Sequence, residues 1–182
     1  GNAMKSVLVC YESQYGYSQK YAQWIAKELG GRALAVSQAG EEDVRKADLV
    51  VVGGGLYAGK VGGASFVKRH EAALQGKLAA LFTVGLSPTD REEVFSPLME
   101  KNFAPQILAT VKVYHLRGGM DYQKLKWMHR MMMKMLVHML RKKAPSERTR
   151  DDQGLLDSYG KAEDFSDPAS VAPLVAYVKS LR

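Results

Sequence analysis

The chain has 182 residues, 46% of them hydrophobic and 25% charged, with a formal net charge of +7. These values suit one globular domain with a sizeable core and exclude a disordered or collagen-like chain. Cys10 is the only cysteine, which excludes a disulfide framework and a thiolate metal cluster, and no run is long and uncharged enough to span a bilayer.

Gly1-Asn2-Ala3 ahead of Met4 reads as an expression scar, so the domain is taken as 4–182. The apolar run begins at once after Met4 and carries no cleavage-site pattern, and a cytoplasmic location is expected. Val7-Leu8-Val9-Cys10-Tyr11 is a short, mostly β-branched run that predicts a buried strand. Ala22, Ile25, Ala26 and Leu29 recur at helical spacing and predict an amphipathic helix, closed by Gly30-Gly31. Ala33–Val36 is a weak second strand, followed by an acidic helix or turn over 41–47. Asp48-Leu49-Val50-Val51-Val52-Gly53 predicts a third strand, apolar on both faces as parallel strands are. A glycine-rich loop over 54–63 leads to a helix carrying Phe66, Val67, His70 and Leu74. Leu78–Val84 is the fourth strand, and Asp90 is placed to cap a helix bearing Phe95, Leu98 and Met99. Val111–Leu116 is the fifth strand. The last helix is opened by Asp167 and Pro168. Residues 145–166 are polar and hard to assign; partial order and mobility are expected there.

Strands alternating with helices imply an α/β fold: a doubly wound, five-stranded parallel sheet of order 2-1-3-4-5, with a basic, methionine-rich helical insert over 120–166. In that order ligands sit at the carboxyl ends of the strands, near the switch point between strands 1 and 3. Between the first strand and the first helix stand Ser13, Gln14, Tyr15, Gly16, Tyr17 and Ser18. This loop offers hydroxyls, an amide, a flexible glycine and a helix N-terminus, the donor set of an anion site without Lys or Arg. A plain turn with Ser18 as N-cap is the competing reading. The loop resembles the phosphate-binding loop of flavodoxins, T/S-x-T-G-x-T, with Tyr15 in place of the second hydroxyl.

The loop after the third strand supplies Gly55, Leu56, Tyr57, Ala58, Gly59 and Lys60. It combines backbone donors of low bulk with one aromatic, which suits the edge and face of an isoalloxazine ring. Val84, Gly85, Leu86 and Ser87 form a third permissive loop at the same sheet end, and together these favour a flavin over mere chain reversal. Competing sites fail on residues. Gly54-x4-Gly59-Lys60 nearly spells a P-loop, but Val61 stands where Ser or Thr must hold a metal, and no helix follows directly. A G-x-G-x-x-G after the first strand is absent. No spacing suggests a metal site.

The whole chain resembles the flavodoxin-domain family that contains the menaquinone-dependent protoporphyrinogen oxidases. The resemblance rests on the segment from Tyr11 to Leu29, on Val52-Gly53 through His70, and on Leu116–Tyr122 with Leu125–Arg130 and the basic helix behind them. It implies one non-covalent FMN, its phosphate on Ser13–Ser18 and its ring between the second and third loops. It also implies electron transfer from an organic substrate to a quinone or another acceptor. The loop after the third strand is about two residues shorter than the family pattern, and 145–166 is longer and more charged. Tyr57 is the candidate for stacking on the ring, and Lys60 for stabilising its anionic reduced form. In flavin oxidation the cofactor carries the chemistry, and no histidine has a visible partner, so no catalytic residue is assigned.

Seven Lys and Arg stand between Asp121 and Lys143 against Asp121 alone. Trp127, Met128, Arg130, Met131, Lys134 and Met135 mark this segment as a substrate or membrane patch. Methionine lines irregular apolar partners, and basic amphipathic helices bind anionic surfaces. A core-packing helix with a solvated charged face is the other reading. Expected partners are a quinone or a redox-partner protein, with peripheral membrane contact through 121–143; nucleic acid is not expected, because no recognition module is present. A non-catalytic electron carrier docking through the basic helix is the alternative function, and a scaffold that has lost FMN is a third.

Overall fold

A computed structural model describes residues 4–182, so residues 1–3, read above as a scar, lie outside the described residues. In β1 (Val7–Glu12), Val7 and Val9 belong to one buried cluster and Leu8 and Cys10 to another. A strand apolar on both faces needs a layer on each. Burial pushes the Cys10 thiol up to about 12, so this cysteine stays protonated and inert.

The chain continues through α1 (Tyr17–Leu29), β2 (Arg32–Ala35), α2 (Glu41–Lys46), β3 (Leu49–Tyr57), β4 (Lys60–Val61), α3 (Ala64–Arg69), α4 (Glu71–Leu74), β5 (Leu78–Gly85), α5 (Glu92–Asn102), α6 (Pro105–Leu108) and β6 (Lys112–Arg117). The parallel strands lie in the order β2-β1-β3-β5-β6, the expected doubly wound order, with β4 paired to β3 alone. On one face Ile25 and Leu29 of α1 and Leu174 and Val178 of the C-terminal helix (Ala172–Ser180) cover Val9, Val51 and Phe82. On the other face Val44, Phe66, Leu74, Met99 and Phe103 cover Leu8, Val50 and Leu81.

The structure changes three local expectations. The glycine-rich segment is not a loop: β3 runs on to Tyr57 and returns as β4, with Leu56 opposite Val61 and Tyr57 opposite Lys60. Gly54 and Gly62 let this hairpin close at its base, because a Cβ on Gly54 would come within 2.4 Å of the Gly62 backbone. The near-match to a P-loop therefore lies on a β-hairpin. Second, the helix expected through His70 and Leu74 is divided at His70 into α3 and α4. Third, Asp90 does not cap α5, whose N-cap position is Arg91.

Ala58 and Gly59 make the hairpin turn with φ of 49° and 78°. A two-residue turn with both φ positive matches the right-handed twist of paired strands, and alanine tolerates this region poorly. Ala58→Asn is therefore expected to stabilise the protein by about 0.5–1 kcal/mol, read as a rise in the midpoint of denaturant unfolding at constant slope.

Residues 119–165 form a second compact unit. It contains β7 (Gly119–Asp121), α7 (Trp127–Lys142), α8 (Arg150–Ser158) and β8 (Ala162–Asp164), with β7 and β8 antiparallel. The segment 145–166 is more regular than its composition suggests. Thr149 and Asp152 form a reciprocal cap at the start of α8, each side chain accepting from the other's amide at 3.0 Å. Arg148 Nε donates to Leu140 O at the end of α7, 3.1 Å away. The Tyr122 and Tyr159 rings meet edge to face with centroids 5.1 Å apart. No helix of the described residues is long and apolar enough to cross a membrane.

Candidate functional site

The carboxyl ends of β1, β3 and β5 lie side by side. Glu12 pairs with Gly54 and Gly55 with Val84. Ser13–Ser18 leaves β1 and enters α1 through Gly16, whose φ of 93° is left-handed. The Gly16 amide donates to Ser13 Oγ at 3.0 Å, which fixes the hydroxyl at the loop's inner side and leaves its proton to donate elsewhere. Ser18 is buried, whereas Gln14 and Tyr15 are exposed. No side chain caps α1, and no acid stands in its first turn. A helix start of this kind favours an anion.

The β3–β4 hairpin forms the second wall. Tyr57, at the end of β3, is 37% exposed. Asn102, at the end of α5, secures the hairpin from outside: its Nδ2 donates to Gly59 O at 2.9 Å and its Oδ1 accepts from Val61 N at 3.1 Å. Lys60 is exposed, and Lys101 Nζ would lie 3.3 Å from a Cβ on Gly59. Two cations therefore flank the turn. The one acid at the strand ends, Glu12, accepts from Gly63 N at 3.3 Å.

The third wall is Val84–Ser87. Arg117, at the end of β6, donates to Leu86 O through Nε at 3.1 Å and Nη2 at 2.8 Å. Gly118 N donates to Gly85 O at 2.8 Å. Tyr21, fully buried in α1, donates its hydroxyl to Arg117 O and accepts from Asp167 N. Leu56 of the hairpin packs beside Gly85.

Gly55 marks the point where the walls meet. A Cβ there would stand 3.8 Å from Val84 O and 3.9 Å from Ser18 Oγ. Three chain segments thus converge on a position with no side chain, beside a buried hydroxyl. Such a cradle admits a flat ring or a phosphoryl group close to backbone. The structure thereby brings together Ser18, Gly55 and Val84, with Leu56 beside Gly85; Ser13, Gln14, Tyr15, Gly16 and Tyr17 lie on the loop that leads to Ser18, and Tyr57, Ala58, Gly59 and Lys60 on the hairpin beyond Leu56. Sequence reasoning missed Asn102, Lys101 and Arg117, which support or charge these walls from elements distant in the chain. A groove of about 610 Å³ lined by Trp24, Lys27 and Val175 lies between α1 and the C-terminal helix, away from the strand ends.

Trp127, Met128, Arg130, Met131, Lys134 and Met135 all lie on α7, in the second unit. The competing reading, a core-packing methionine stripe, does not hold: the buried residues of α7 are Val137 and Leu140, and Met128, Met131, Met132, Met135 and Met139 are exposed.

His115 on β6 has a partner that the sequence did not reveal. Its Nδ1 lies 2.6 Å from Thr83 Oγ1, and Phe95 stacks on its ring at 3.8 Å. Burial holds its pKa below the ordinary histidine value, against a smaller opposing pull from Glu92. The unfolded chain then binds a proton more readily than the folded one. The stabilisation from neutral His115 is complete above about pH 6.5, the unfolded value, and declines as pH falls from there toward the lowered folded value. Tm is expected to drop as pH falls below about 6.5, and His115→Gln to flatten that slope. Asp43, Asp48 and Asp152 are held low chiefly by backbone hydrogen bonds, so their contribution is lost only in stronger acid.

Fold and site together define a doubly wound α/β protein with an uncapped, hydroxyl-rich strand-to-helix loop at its switch point. The family model of the flavodoxin domain matches residues 8–147, and the chain belongs to that family. It is similar to a solved flavodoxin from the domain Archaea, at 16% identity and a TM-score of 0.42, over 62% of this chain and 85% of that one. It is also similar to the two-electron reduced flavodoxin of Megasphaera elsdenii, at 17% identity and 0.44, over 60% and 84%. Oxidised Flavodoxin 1 from Bacillus cereus matches at 14% identity and 0.39, over 62% and 84%. No curated protein matches the chain.

Proposed function

We propose that the chain binds FMN non-covalently and serves as an oxidoreductase, taking electrons from an organic substrate and delivering them to a quinone or another acceptor. The observation that carries this reading is the bare Gly55 cradle between Ser18 Oγ and Val84 O in a flavodoxin-family chain. When bound, FMN supplies reversible two-electron chemistry. The residues of the chain bind and tune it. Ser13, Ser18 and the start of α1 would hold the phosphate. Tyr57 would stack on the ring, while Leu56 and the Val84–Ser87 segment would exclude water from it. Lys60, Lys101 and Arg117 make this rim positive, which favours added negative charge on the ring and raises its potential. A flavodoxin with acids around its ring would be more reducing.

The finer reading, a protoporphyrinogen oxidase-like enzyme using menaquinone, draws support from the resemblance of Leu116–Tyr122 and Leu125–Arg130 to that subgroup. Reconstitution with FMN should give a yellow protein with a one-to-one stoichiometry, and anaerobic protoporphyrinogen should then be oxidised when menaquinone is present. Bound flavin without turnover on several quinones would favour the carrier, and no flavin binding would overturn both. A redox titration giving a strongly negative couple would contradict the role given to the cations.

A further inference from the structure

We propose that α7 is an interfacial helix that seats its methionine face in an anionic lipid leaflet. The proposal is independent of the flavin reading, because every residue it uses lies in residues 119–165. Met128, Met131, Met132, Met135 and Met139 follow helical spacing and are 58%, 54%, 45%, 63% and 63% exposed. Trp127, at the start of the helix, is 70% exposed. Packing accounts for Val137 and Leu140 only. An apolar stripe of this extent on one helix signals a binding surface.

Charge selects the occupant. The helix carries no acid. Arg130, Lys134 and Arg141 follow the same helical periodicity on a neighbouring edge, and Lys142 follows at the end. Arg130 also ties the helix start to its own unit, donating to Gln123 O at 2.8 Å, while Lys134 is exposed. A second copy of the chain would oppose cations to cations, so self-association is disfavoured. An anionic leaflet neutralises the basic edge and receives the apolar one. Tryptophan at the end of such a helix suits the headgroup level, and unbranched methionine side chains adapt to disordered acyl chains. At 16 residues α7 can lie along the surface.

The test uses the full chain with vesicles of phosphatidylglycerol and phosphatidylcholine against phosphatidylcholine alone. A Trp24→Phe background leaves Trp127 as the single reporter. Binding to the anionic vesicles should be at least about tenfold tighter, with a blue shift of Trp127 emission and weakening at high salt. The triple variant Met131→Gln, Met135→Gln, Met139→Gln should lose about tenfold or more of that affinity, with unchanged circular dichroism. Lys134→Glu with Lys142→Glu should lose the preference for anionic lipid. Equal binding to both vesicle types, an unshifted Trp127, or full affinity in the methionine variant would each overturn the proposal. FMN titration of the same preparations reports the flavin site separately.

Discussion

Replacing Gly55 with leucine is expected to cost at least about a hundredfold in FMN affinity, near 2.7 kcal/mol, while Tm stays nearly unchanged. The two effects separate because of where the new side chain would go. Its Cβ would make only ordinary contacts, 3.8 Å from Val84 O and 3.9 Å from Ser18 Oγ. The backbone at this position therefore has room for a Cβ without shifting. The remaining carbons would fill the space that the three walls leave to a ligand. Gly54→Ala is the control one residue earlier. There the Cβ would come within 2.4 Å of the Gly62 backbone, so the hairpin must open and Tm should fall with or without flavin. Fluorescence titration of FMN, with thermal melts of both apoproteins, measures the contrast. Undiminished affinity in Gly55→Leu would show that the ligand lies elsewhere.

That contrast also shows what could be read from residue types and what could not. The order of the parallel strands follows from the apolar runs at Val7–Tyr11, Leu49–Val52 and Leu78–Val84, because buried strands have few alternatives. The family was likewise legible, since Ser13–Ser18 between a strand and a helix is a local pattern. The hairpin was not. Gly54 and Gly55 carry no alternating side chains, and Ala58-Gly59 lacks the Asn or Asp that announces such a turn. The order of α8 stayed hidden for a related reason: its cap pairs Thr149 with Asp152, where the usual signature has Glu or Gln. The supports of the site escaped because they act across the chain. Asn102 reaches Gly59, and Arg117 reaches Leu86, over separations that no periodicity records. The exposure of the α7 methionines was equally out of reach, because helical spacing fixes which residues share a face and not what that face meets.

Removing the guanidinium of Arg117 should show that this distant support matters to the proposed flavin site. Its two donors fall on one oxygen, Leu86 O, at 3.1 and 2.8 Å. Its own carbonyl is held by the buried Tyr21 hydroxyl. The side chain is thus anchored at its root and closes the Val84–Ser87 wall with its tip. A hydrogen bond from a charged donor contributes about 1.5–3 kcal/mol, so Arg117→Met should weaken FMN binding by roughly tenfold or more. The lost charge should also make the potential more negative. Arg117→Lys separates the two causes. It keeps the cation but lacks the planar fork that meets one oxygen twice, so it should restore the potential and leave the affinity impaired. If lysine restored both, Arg117 would act by charge alone. If methionine changed neither, Leu86 would be positioned by the strand ends without help.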